Sequence, residues 1–209
     1  MKTNDLTRAL AADTAPARPL LTTALAGLVP ALGLALIGVW GILGIRADLI
    51  HSLFEPASVA RFILTGALAI VGLGIAVGLA RPNGQTRLWP LAVLGGITLG
   101  LLVWAFVTTP ADARQMAAVG KTITTCLVSI PLMAILPVAA ILGMLRHGAS
   151  TMPRLASMAA GLAGGGAAAA VYALHCTEDS PLFYVTWYGL AIAGVTLAAT
   201  LIGPRLIRW

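Results

Sequence analysis

The sequence predicts an all-α membrane protein, a bundle of six transmembrane helices joined by short loops. Three observations carry that prediction. Of 209 residues, 59% are hydrophobic and only 10% are charged, against about 25% charged in a soluble domain. The mean hydropathy is +0.94, so the chain has too little polar side chain to cover a water-facing surface. Six apolar runs lie near 20–45, 62–80, 90–108, 122–145, 155–174 and 181–203, each close to the about twenty helical residues that cross a hydrocarbon core. The connectors between them are 6 to 16 residues long, which leaves no room for a soluble domain beyond the first nineteen residues.

Two regions follow: a polar tail over 1–19 and a six-span domain over 20–209. In the tail, Thr3 can cap a short helix with Asn4 and Asp5 in its first turn. Leu6 and Leu10 are one turn apart and share a face, and Pro16 and Pro19 end the helix. A helix of about ten residues is too short to hold alone in water. The tail therefore reads either as a frayed leader or as a segment that folds onto a partner with Leu6 and Leu10 as anchors. A polar stretch before the first apolar run is the wrong order for a cleavable signal.

The basic residues orient the spans. With the N-terminus in the cytosol, the inner side holds Lys2, Arg8, Arg18, Arg81, Arg87, Arg146, Arg154, Arg205 and Arg208, and the outer side Arg46, Arg61, Arg114 and Lys121: nine against four. The positive-inside rule favours that arrangement, with both termini cytosolic. The formal net charge of +6 is thus spread along the membrane ends, so no direct nucleic-acid partner is expected. Gly74/Gly78, Gly96/Gly100 and Gly161/Gly165 are GxxxG pairs that allow close helix approach. The fifth run, rich in Gly and Ala, belongs in the bundle interior, and Pro131 and Pro137 should kink the fourth. No span reads as having an ionisable residue well inside it, which counts against transporters and proton relays. No catalytic motif is visible, so no enzyme activity is expected.

One polar island interrupts this pattern, ALHCTEDSPLFYVTWYG over 173–189. Ser180-Pro181 reads as a helix start, and Tyr184, Trp187 and Tyr188 as aromatics at a membrane interface. The only two cysteines, Cys126 and Cys176, fall on the same side. Cys126 lies five residues past Lys121, about 7–8 Å along its helix. Alone, Cys126 reads as a small buried hydrophobe. Cys176, beside His175, can be a reactive thiol or a soft-metal ligand. The pair could form a disulfide, a dithiol switch or a metal site, with His175 as an auxiliary ligand; His51 or an acid could complete the set. No permanent cofactor is expected, only a soft metal ion held transiently by Cys126 and Cys176.

These residues resemble the NrsF-like negative regulators of sigma factors, a family of six-helix bacterial inner-membrane proteins. The resemblance rests on Thr3-Asn4-Asp5-Leu6 with Ala9-Leu10-Ala11 and Asp13, and on Arg81-Pro82. It also rests on Cys126 with Pro131 and Pro137, on Leu145-Arg146 with Gly148-Ala149, and above all on Tyr172-Ala173-Leu174-His175-Cys176 with Asp179-Ser180-Pro181 and Trp187-Tyr188-Gly189. It implies a membrane-bound anti-sigma factor. Such a protein holds an extracytoplasmic-function sigma factor and releases it under heavy-metal or oxidative stress sensed by two cysteines, here Cys126 and Cys176. The partner segment would be the tail around Asp5, Leu6 and Leu10. The alternative is a small membrane transporter or metal-efflux accessory protein. A thiol oxidoreductase fits less well, because the chain has no CxxC pair.

Overall fold

The computed structural model describes Thr7, residues 19–82, Gly84 and residues 87–207. Asp5, Leu6 and Leu10 lie outside the described residues. Helix α1 (Leu20–Gly38) starts after Pro19 and ends in a π-helical turn, Val39–Leu43. A one-turn helix, α2 (Leu49–Ser52), follows. Then come α3 (Pro56–Leu79), α4 (Trp89–Thr108), the short α5 (Ala111–Val119), α6 (Ile123–Arg146), α7 (Pro153–Tyr172) and α8 (Pro181–Leu206). Proline occupies the first turn of α3, α4, α7 and α8, where its missing N–H goes unneeded.

Six segments are long and apolar enough to cross a membrane: Leu20–Leu43, Pro56–Leu79, Trp89–Thr108, Ala111–Arg146, Pro153–Tyr172 and Pro181–Leu206. Many large side chains turn outward, among them Ile37, Trp40, Ile70, Val107, Leu132 and Leu197. Only lipid makes such a surface favourable, because water would be repelled along its whole height.

The centre of the bundle is α7, packed against α3, α6 and α8. This places the fifth span inside, as its composition predicts. Backbones nearly touch there. A Cβ on Gly72 would meet the Ala163 nitrogen at 2.7 Å, and one on Gly166 would meet the Ala69 nitrogen and the Thr65 carbonyl at 2.9 Å. Of the predicted glycine pairs, Gly161/Gly165 packs closely, against Thr196 and Ile192 of α8. Gly74, Gly96 and Gly100 face open space, because their helix faces meet no neighbour. At the periphery, α1 packs mainly on α6, and α4 touches α3 and α8 lightly. Within α4 only Ala105 is buried.

The second span differs from its predicted start. Hydropathy places it at 62 because Arg61 interrupts the apolar run, but the helix begins at Pro56 and carries Arg61 inside it, 0% exposed. An ionisable side chain thus lies within the bundle after all. Helix α8 begins at Pro181 as read, although the Ser180 side chain makes no capping hydrogen bond. Tyr184 and Tyr188 also depart from the interface reading. They face the bundle and are 3% and 2% exposed.

Candidate functional site

Three connectors meet at one end of the bundle: residues 44–55 between α1 and α3, the α5 turn before α6, and residues 173–180 between α7 and α8. Cys176 sits in the last, and Cys126 lies one turn into α6, where its N–H donates to the Thr122 carbonyl at 2.9 Å. The Thr122 hydroxyl stands 3.9 Å from the Cys176 sulfur. Both thiols are free and buried at 0% exposure. They belong to one contact cluster with Tyr172, Phe183, Tyr184 and Tyr188. The structure therefore brings the two cysteines to a single packed cluster, and it buries Cys176 fully although its loop is polar.

Arg46 and Arg61 hold the connector that covers this cluster. The Arg46 guanidinium donates to both oxygens of Asp48 at 2.8 Å and to both oxygens of Asp179 at 2.8 and 2.9 Å. It also donates to the Cys176 carbonyl at 3.2 Å, and its backbone N–H reaches the Leu174 carbonyl at 3.1 Å. Arg61 donates to the Glu178 carbonyl at 2.8 Å and the Ala173 carbonyl at 3.4 Å, and pairs with Asp179 at 3.2 Å. Two arginines and two aspartates leave this cluster neutral. Hydrogen bonds from Arg46 hold the Asp48 carboxyl down at about 2. The Asp48 and Asp179 carboxylates in turn push the Arg46 guanidinium well above its ordinary value.

The third connector closes the other flank. The Lys121 N–H donates to the Glu178 carboxylate at 2.8 Å, and the Trp187 indole donates to the Ala118 carbonyl at 2.7 Å. Gly120 makes the turn with φ +57°, and a Cβ there would strike Phe183 and Glu178. Only glycine suits both demands.

His175 is tied to the connector between α1 and α3. Its Nδ1 donates to the Gly44 carbonyl at 2.8 Å, and its ring lies 5.7 Å from Tyr172. His51 is exposed on α2. Among the described residues, no three His, Cys, Asp or Glu side chains converge as a metal site. Arg46 and Arg61 are the functional residues that sequence reasoning missed, having counted them only as topology charges. The available signal was the confinement of Asp48, Glu178 and Asp179 to the same end.

Both thiols are sealed beneath the 173–180 connector, which is bonded to Arg46 after α1, Arg61 of α3 and Lys121 before α6. Residues 10–209 match a known family model, described as negative regulator of sigma F, NrsF. The chain belongs to the NrsF family. It is 33% identical over 219 aligned positions to the anti-sigma-F factor NrsF of Caulobacter vibrioides, covering all of both chains. It is also 33% identical over 171 positions to a probable anti-sigma-F factor NrsF of Azospira oryzae, covering 80% of each. No solved structure matches the chain.

Proposed function

We propose that this NrsF-family protein is an anti-sigma factor of a bacterial inner membrane. It holds an extracytoplasmic-function sigma factor and releases it when heavy-metal or oxidative stress acts on Cys126 and Cys176. The tail is the holding segment, with Asp5, Leu6 and Leu10 on the partner side, and both termini are cytosolic. The thiol end then faces the periplasm. The observation that carries this reading is the placement of the only two thiols in one buried cluster beneath a connector pinned to Arg46, Arg61 and Lys121. The names of the two relatives support the anti-sigma role.

The mechanism follows from the pinning. Joining the sulfurs as a disulfide, or sharing a soft metal ion between two thiolates, displaces the Cys176 connector relative to α6. Packed helices switch between discrete arrangements rather than deform smoothly. Moving a two-state protein from mostly holding to mostly releasing takes about 5.5 kcal/mol of bias. Covalent closure or two thiolate–metal bonds are strong enough for that; a loosely held ion is not.

The test is induction of a sigma-dependent reporter by cadmium or dichromate, with protein levels followed by blot. Cys126→Ser and Cys176→Ser should each blunt induction, and the double variant should resemble either single one, because the two act as a unit. Wild-type induction in the double variant would sink the thiol switch. Leu6→Glu with Leu10→Glu should give constitutive transcription, since a charge buried at an anchor costs several kcal/mol. Metal sensitivity with no change in transcription would instead favour an efflux accessory.

A further inference from the structure

A groove of about 690 Å³ runs between α6 and α8. Its floor is made of buried residues such as Ala134 and Ala199, and its rims are exposed, as at Leu132 and Ile202. It therefore opens toward lipid. Among the described residues that line it, Arg146 alone is charged. Arg146 is the last residue of α6, so it stands at the mouth of the groove, where the span ends. Both helices line the groove from Ala134 to Arg146 and from Gly194 to Leu206, about 18 Å at 1.5 Å per residue. That is close to one leaflet of a hydrocarbon core about 30 Å thick. On α8, Ala198, Ile202 and Arg205 recur at i, i+4 and i+7, so Arg205 falls on the groove's side of its helix and beside the same mouth. Both arginines are exposed, and among the described residues the ion pairs are those of Arg46 and Arg61.

We propose that this groove is a site for one anionic phospholipid, with an acyl chain along the α6–α8 floor and the headgroup phosphate on Arg146 and Arg205. Charge, length and placement select that occupant. Guanidinium groups bind phosphate through paired N–H donors, and basic pockets between spanning helices hold anionic headgroups. The headgroup meets the arginines at the end of the spans, so it need not leave water, while the chain below it replaces lipid contact with a fitted apolar wall. A zwitterionic lipid brings its own cation beside the two arginines. A second copy of the chain, docked about a two-fold axis, brings a second Arg146 and Arg205 against the first pair. Neither matches the charge at the mouth. The inference goes beyond the anti-sigma reading. It depends neither on the thiols nor on which side of the membrane the arginine end faces.

The experiment is native mass spectrometry of the full chain in neutral detergent, titrated with phosphatidylglycerol or with phosphatidylcholine of the same chains. One phosphatidylglycerol per chain should be retained, roughly tenfold more tightly than phosphatidylcholine, the effect of a charge-assisted hydrogen bond or two. Arg146→Gln with Arg205→Gln should bring phosphatidylglycerol down to the phosphatidylcholine level. Arg81→Gln with Arg154→Gln removes the same charge from the same end but off the groove lining, and should bind like wild type. Gly194 lines the groove with nothing within 4 Å of an added Cβ, so Gly194→Leu should fill the space and abolish the preference. Gly33 on α1 is equally open, and Gly33→Leu should retain it. Equal retention of the two lipids would overturn the proposal. So would equal losses in the two arginine pairs, which mark diffuse charge, or wild-type retention in Gly194→Leu. Displacement by glycerol phosphate as effective as by phosphatidylglycerol would sink the acyl-chain site, and a dimer mass lost in Gly194→Leu would give the groove to a second copy.

Discussion

At the cysteine end of the bundle, charge is turned inward. Arg46 and Arg61 are 6% and 0% exposed, and both are paired with acids. At the opposite end, Arg81, Arg87, Arg146, Arg154 and Arg205 are all exposed, and among the described residues no acid lies beside them. Between the connectors there, the Ala149 N–H donates to the Ala80 carbonyl at 2.8 Å. The same residue type thus does two jobs. Buried arginine fixes the geometry of a connector, because its several N–H groups can satisfy many carbonyls at once. Exposed arginine marks a side of the membrane.

Substitutions should separate the two ends clearly. Arg61→Leu should have the largest effect, since it removes the buried donor of the Glu178 and Ala173 carbonyls and leaves Asp179 to Arg46 alone. Losing one partner of a buried pair typically costs about 3–5 kcal/mol. Melting in detergent should fall accordingly, and maleimide should label Cys126 and Cys176 in the native protein. Arg46→Gln comes next, at about 2 kcal/mol for lost charged hydrogen bonds, with labelling of Cys176 ahead of Cys126. If Arg46→Gln labelled neither thiol, the connector would not be held by this residue.

Acidity should test the exposed edge of the same cluster. The Asp48 carboxyl is lowered from 3.8 to about 2 by Arg46. Its contribution is fully present above the ordinary value and fades as pH falls toward about 2. The difference in melting between wild type and Asp48→Asn should stay constant from about pH 8 to 5 and shrink below about pH 4. A difference that varied near neutrality would point to another titrating group. Smallest of all, Arg81→Ala and Arg146→Ala should change melting by less than about 0.5 kcal/mol, as surface substitutions do, and leave both thiols unlabelled.

The six spans were legible because run length and hydropathy are local properties. The shared end of Cys126 and Cys176 was legible too, by counting crossings. What the sequence could not display was burial set by distant partners. Cys176 reads as a loop thiol until Arg46, 130 residues earlier, donates to its carbonyl. Arg61 reads as a break in an apolar run until residues 173–179 supply its acceptors. Tyr184 and Tyr188 look like interface aromatics because nothing local tells a lipid-facing helix surface from a bundle-facing one. The glycine pairs show the same limit, since only a neighbouring helix decides which of them is used.

The small side chains of α7 have a mechanical consequence. From Ala156 to Ala169 its buried residues are alanine, glycine and one serine. Alanine and glycine have no side-chain rotamers to change. A displacement at Tyr172, beside the thiols, cannot be taken up by side chains flipping along the way, as it could in a leucine-lined interface. The helix spans about 30 Å from the thiol cluster to Pro153 at the far end, so such a displacement must be met by its backbone and its neighbours.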